Sequence, residues 1–199
     1  MTDADLNQNI KLAPHDWLMA KTVLRLFPQA VWPNHITAAR FFTSPIVFCL
    51  LWQGFYKVGL VAFLLVAFTD AIDGSMARTR KRITIWGTKY DGVADKFLIV
   101  GVVMILVLQC LGWLLAGTII GVEFSTIIVA AFYARKGIVS QANIWGKTKM
   151  VVQVAATSLL IIYIISGVAM FLLVGQWLFV LAILLSFVSV AVHSKNIHV

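Results

Sequence analysis

Val58-Gly-Leu-Val-Ala-Phe-Leu-Leu-Val-Ala-Phe-Thr-Asp70-Ala-Ile-Asp73-Gly-Ser-Met-Ala77 is apolar apart from two hydroxyls, Thr69 and Ser75, and two carboxylates near its end. A bilayer is crossed by about 20 such residues in helical conformation. An ionised side chain at membrane depth is costly, so an acid placed there points to function. The stretch therefore predicts a transmembrane helix that carries a polar site near its C-terminal end. Asp70 and Asp73 stand at i and i+3 and share one helix face.

The surrounding composition agrees. Of the 199 residues, 61% are hydrophobic and 12% are charged, against about 25% charged in soluble domains. Mean hydropathy is +0.93. Five more apolar stretches accompany 58–77, at roughly 36–54, 93–113, 115–134, 150–167 and 170–192. Gly54, Gly112, Gly117 and Gly167 fall near the expected turns. The expected fold is an all-α integral membrane protein, with six transmembrane helices preceded by an N-terminal amphipathic interfacial helix. Residues 1–33 form the N-terminal cytoplasmic segment and 34–199 the six-helix domain. No secretory signal pattern stands at the N-terminus. Cys49 and Cys110 lie in apolar runs and read as buried thiols.

Orientation follows from the basic residues, which collect on cytoplasmic loops. Six spans put the N-terminal segment, the 78–92 loop, the 135–149 loop and Lys195 on one side, which, with Arg40 and Lys96 near the same-side ends of their spans, receives fifteen of the sixteen Lys and Arg. Lys57 alone falls on the other. The +8 net charge thus fits cytoplasmic loops and anionic lipid headgroups. Nucleic acid is not expected as a partner, because no basic stretch is interleaved with exposed aromatics. Within 14–30, Trp17, Leu18, Val23, Leu24, Leu26 and Phe27 alternate with Lys21 and Arg25. That pattern suits a helix lying in the membrane interface and equally one packed on the protein.

Two further acids, Asp91 and Asp95, stand at i and i+4 beside the start of the third apolar stretch. The second and third spans are antiparallel neighbours, so the two acidic faces can meet. Four carboxylates in one small volume do not all stay ionised without cations. Hard divalent ions with oxygen ligands suit the set, and Mg²⁺ suits phosphate chemistry. A metal pair would orient a pyrophosphate and stabilise a leaving oxygen. Gly74, Ala77, Gly87 and Gly92 leave room for close helix packing or for a ligand. Clustered membrane carboxylates also occur in ion transporters, whose acids sit nearer the bilayer midplane.

Asp70-Ala-Ile-Asp73-Gly74-Ser-Met-Ala77-Arg78, eight residues, Gly87, three residues, Asp91, three residues and Asp95 resembles the signature of the CDP-alcohol phosphotransferase family, D-x-x-D-G-x-x-A-R-x8-G-x3-D-x3-D, at every defined position. The resemblance implies a six-helix membrane enzyme that moves a phosphatidyl-type group from a CDP-linked lipid to an alcohol and releases CMP. Two ions of Mg²⁺ or Mn²⁺ are implied as cofactors, held by Asp70, Asp73, Asp91 and Asp95. Asp95 matches the residue thought to take the proton from the acceptor hydroxyl. Gly74, Ala77, Arg78 and Gly87 match positions around the CDP moiety. Pairing as a homodimer is implied as well.

The acceptor alcohol is less sharply marked. Pro33-Asn34-His-Ile-Thr37-Ala-Ala-Arg40, Asp91-Gly-Val-Ala94-Asp95-Lys96 and Gly146-Lys147-Thr-Lys149-Met150-Val-Val-Gln153 resemble segments of the phosphatidylglycerophosphate synthase branch, which implies glycerol 3-phosphate as acceptor. Lys147, Lys149, Arg40 and Arg135 are candidates to hold the acceptor phosphate. The chain departs from that branch at Val122, before Glu123, where an arginine is usual; at Gly92, where proline is usual; and at Met150, where threonine is usual. Phosphatidylglycerol and inositol phosphate therefore stay open as acceptors. Glu123, alone in its apolar stretch, is expected either to make a structural polar contact or to help recognise the acceptor.

Overall fold

The protein was analysed as a computed structural model, which describes residues 14–26, 28, 31–82, 84–107, 110, 112–135 and 144–195. Among these there are seven α-helices and no strand: α1 (Pro14–Lys21), α2 (Pro33–Trp52), α3 (Tyr56–Thr79), α4 (Ile85–Val107), α5 (Trp113–Arg135), α6 (Ile144–Ser166) and α7 (Ala169–Lys195). A short 3-10 turn, Val23–Leu26, follows α1. Five of the apolar stretches read from the sequence each fall largely on one helix, while 93–113 begins within α4, which ends at Val107, and reaches the first residue of α5, Trp113. Helix α4 begins at Ile85, earlier than its apolar run, so Gly87, Asp91 and Asp95 are helical.

Four segments among the described residues are long and apolar enough to cross a membrane: Pro33–Trp52, Tyr56–Thr79, Trp145–Ser166 and Ala169–Ser189. Their outward faces carry large apolar side chains, among them Phe42, Leu65, Val151 and Leu184. That arrangement suits a lipid solvent and would be a liability in water. This is a membrane protein.

The chain forms two compact units, one of residues 1–50 and 61–98, the other of 51–60 and 99–199. In the first, Leu24, Ile36, Ile72 and Met76 make a buried cluster, against which Met19, Ala20, Val23 and Val31 pack. The segment after α1 is thus held on α2 and α3. One face of this segment packs inward, while Trp17 stays 63% exposed with the Lys21 ammonium 3.8 Å above its ring. Phe97 of α4 stacks on Phe41 of α2 at 5.9 Å and meets Phe48 edge-on at 5.4 Å. Pro33 opens α2 at the position where a missing N–H is harmless.

In the second unit α6 and α7 form the principal helix pair, and α5 also touches α7. The turn between α6 and α7 needs Gly167, whose φ is +69°, a region that side chains with a Cβ avoid. A Cβ at Gly175 would stand 3.0 Å from Leu160 Cδ2 and 3.3 Å from the Ala156 carbonyl oxygen. The bare glycine therefore lets the two backbones approach, the usual way helices pack in lipid.

Candidate active site

The first acid pair is built by α3 and received by α2. On α2, Asn34, Thr37 and Arg40 recur every three residues along one face, and all three meet polar groups of 69–84. The Arg40 guanidinium donates from Nη1 to Asp70 Oδ1 at 3.1 Å and from Nη2 to Asp73 Oδ2 at 2.6 Å. Its Nε donates to Thr69 Oγ1 at 3.3 Å. Thr37 Oγ1 donates to Asp73 Oδ2 at 3.1 Å, and Thr84 Oγ1 donates to Asn34 Oδ1 at 3.0 Å. Arg40 and Asp73 are buried, whereas the Asp70 side chain keeps 37% of its surface exposed. The Pro33–Arg40 motif is therefore a cradle for Asp70 and Asp73. Arg40, a candidate for the acceptor phosphate by sequence, has its guanidinium on the two carboxylates.

One turn further, Gly74 and Arg78 form the next part of the site. A Cβ at Gly74 would lie 3.4 Å from Arg78 Nη1 and 3.8 Å from Nη2, so the guanidinium crosses the bare helix face. Asp16 of α1 grips it from the other edge. Arg78 Nε donates to Asp16 Oδ2 and Nη2 to Oδ1, both at 2.8 Å. Ser75 Oγ donates to the same Oδ1 at 2.7 Å. Ala77 is partly buried beside them. Nothing in the motif pointed to Asp16, which reads as one more polar residue of the N-terminal segment. The available signal was its register: it stands on the α1 face of Met19 and Ala20, opposite Trp17 and Lys21.

The rest of the 78–84 loop binds the same segment. Arg80 Nη1 donates to the carbonyls of Pro28 and Val31, and its Nη2 to that of Leu24. The Arg82 guanidinium lies 4.7 Å over the Trp32 ring. Arg80 and Arg82 thus have partners on the segment that precedes α2.

Asp91 and Asp95 stand on α4, and their side chains lie outside the described ones, as does that of Arg135 at the end of α5. Among the described residues no group of three or more His, Cys, Asp or Glu side chains could hold a metal. The described part of the donor set nonetheless fits a hard divalent cation. Two carboxylates share a face, they are oxygen donors of the kind such an ion takes, and Asp70 keeps 37% of its side chain exposed beside the Arg40 guanidinium.

The second unit has its own buried polar cluster. Lys149 Nζ of α6 lies 2.6 Å from Glu123 Oε1 of α5, and Gln153 Nε2 donates to the same oxygen at 2.7 Å. All three side chains are buried. Glu123 is thus ion-paired with one of the two lysines proposed for the acceptor phosphate. The other, Lys147, is exposed.

Comparison with known proteins adds a finding for most of the chain. A model of the CDP-alcohol phosphatidyltransferase family matches residues 30–189. The chain is 31% identical over 160 residues to a CDP-diacylglycerol–glycerol-3-phosphate 3-phosphatidyltransferase of Pseudomonas fluorescens, covering 72% of this chain and 82% of that one. It is 30% identical over 148 residues to the protein of that name from Bacillus subtilis, covering 66% and 76%. A third protein of that name, from Rickettsia typhi, is 36% identical over 80 residues, and there the chain spans 44% of the relative's length.

Proposed function

This chain belongs to the CDP-alcohol phosphatidyltransferase family, and on that premise we propose that it transfers the phosphatidyl group of CDP-diacylglycerol to glycerol 3-phosphate, releasing CMP. The observation that carries the reading is the signature helix, where Asp70 and Asp73 are held side by side by Arg40 and Thr37. The relatives are named for this donor and this acceptor.

In the proposed reaction the acceptor hydroxyl attacks the phosphorus that bears the lipid. An oxygen–phosphorus bond forms, the bond to CMP breaks, and the hydroxyl proton passes to the Asp95 carboxylate. A positioned carboxylate is a competent base for that step. Asp70, Asp73, Asp91 and Asp95 would hold Mg²⁺ or Mn²⁺, which when bound polarises the phosphoryl oxygens and stabilises the leaving oxygen. Gly74, Ala77, Arg78 and Gly87 form the donor side of the site. Arg40 keeps the first acid pair together and neutralises it in the absence of bound cation. Lys147 is the better candidate for the acceptor phosphate, since Lys149 is already paired with Glu123.

Six spans, with both termini and the site on the cytoplasmic side, agree with the distribution of Lys and Arg. The pairing of Lys149 with Glu123, beside Val122, favours a second acceptor reading: an alcohol whose phosphate is gripped less strongly, such as phosphatidylglycerol. The deciding experiment supplies purified protein with CDP-diacylglycerol, Mg²⁺ and a panel of alcohols, follows CMP, and identifies the lipid product by mass spectrometry. CMP release with glycerol 3-phosphate and formation of phosphatidylglycerophosphate is the expected result. No release with any acceptor would remove the phosphotransferase reading. Asp95→Asn should abolish turnover with the helical content and thermal melt retained; wild-type rates in that variant would take Asp95 out of the mechanism.

A further inference from the structure

We propose that Asp16, on the short helix ahead of the first long one, is a positioning residue for the CDP-lipid donor. It acts through Arg78, whose guanidinium it holds over the bare backbone at Gly74. The inference rests on the reading above that Gly74 and Arg78 face the donor.

Three observations carry it. The first is geometric. Asp16 takes the Nε–Nη2 edge of the guanidinium with both oxygens at 2.8 Å, a two-point pairing that fixes a planar group in orientation as well as position. With that edge taken, the Nη1 end lies nearest Gly74. The second is that the carboxylate itself is held. Asp16 is 0% exposed, and Ser75, within the same signature, donates to it at 2.7 Å. The third is that the supporting segment is tied down independently, through Arg80 to the carbonyls of Leu24, Pro28 and Val31 and through the Leu24–Ile72–Met76 packing.

The energetics favour a positioning role over a stabilising one. Taking a carboxylate out of water costs several kcal/mol, and the attraction of its partner roughly offsets that cost. Arg80 and the apolar cluster already attach the segment. What the buried pair adds is a fixed direction for a side chain with many torsions, 24% of whose surface stays exposed. A guanidinium fixed in advance toward a diphosphate loses less freedom when the donor binds.

The test compares Asp16→Asn, Asp16→Glu, Ser75→Ala, Arg78→Lys and the Asp16→Asn/Arg78→Lys double variant with wild type. Initial rates are measured against CDP-diacylglycerol and against the acceptor in mixed micelles, with thermal melts in detergent alongside. Losing one charged hydrogen bond should raise the donor KM in Asp16→Asn about tenfold, with acceptor KM and kcat near wild type. Asp16→Glu should recover part of the loss. The double variant should be no worse than Arg78→Lys alone, because both act through one guanidinium. Should Asp16→Asn fail to fold, Ser75→Ala, which only loosens the carboxylate, is expected to raise donor KM about threefold with an unchanged melt. A wild-type donor KM in every folded variant, a uniform loss of kcat, or full multiplication of the two single effects would overturn the proposal. An active wild type with an unaffected Asp16→Asn sinks this inference alone, whereas a wild type that releases no CMP sinks the phosphotransferase reading beneath it.

Discussion

Arg40 has a different place in the structure from the one its sequence suggests. At the mouth of an apolar stretch, next to a predicted basic loop, an arginine reads as an anchor or a phosphate ligand. Here its guanidinium spans Asp70 and Asp73, two buried or half-buried carboxylates on the next helix. Arg40→Ala would leave Asp73 buried and uncompensated, a change that costs about 3–5 kcal/mol. The expected result is a markedly lower melting temperature in detergent, partly restored by millimolar Mg²⁺ as the cation takes over the neutralisation. A melt indifferent to Mg²⁺ would count against metal binding by this pair. Gly74 supports a second residue-level expectation. A methyl group there would sit at ordinary contact distance, 3.4 Å from Arg78 Nη1, so Gly74→Ala should fold with a near-wild-type melt. Its donor KM should nevertheless rise about tenfold or more, because the added carbon occupies space meant for the ligand. Unchanged donor KM would place the nucleotide elsewhere.

Helices α5 and α6 show how a single polar contact governs an element in an apolar setting. Glu123 is the one acid of its apolar stretch, and sequence left it between a structural contact and acceptor recognition. The structure pairs it with Lys149 and Gln153 from α6, two residues that themselves lie one turn apart. Removing either charge strands the other. Glu123→Ala and Lys149→Ala should each destabilise by several kcal/mol, while the double variant should cost less than the sum. A thermal-melt cycle measures this, and additive losses would mean that the pair does not form. At the other end of the chain, the helix expected over 14–30 is shorter in the structure, Pro14–Lys21 followed by a 3-10 turn over Val23–Leu26. The side on which it would pack was not legible, because Trp17 offers as large an apolar surface as Met19 and Ala20. Asp16, on the face of Met19 and Ala20, is meaningful only once Ser75 and Arg78 are seen opposite it.

For the whole molecule, the six apolar stretches and the helices α2 to α7 correspond in order, but α4 and α6 begin at Ile85 and Ile144, well ahead of the runs at 93 and 150. Four of the helices qualify as spans among the described residues, and their outward faces are apolar. The proposed orientation, drawn from the bias of Lys and Arg, is testable by labelling. With Cys49 and Cys110 replaced, a single cysteine at Lys81 should react with an impermeant reagent only from the cytoplasmic face, and one at Lys57 only from the opposite face. Both positions are exposed, so equal labelling from one side would overturn the six-span topology.

Sequence by itself determined the membrane class, the order of the helices and the identity of the acid-bearing segment. Those follow from local quantities: length of apolar run, helical spacing and the cost of charge in lipid. The partners of Asp16, Arg40, Arg78, Arg80 and Glu123 were decided only in three dimensions. Each contact joins residues at least 26 positions apart in the chain, and long polar side chains choose partners by where other helices pass. Periodicity within one helix carries no record of that choice.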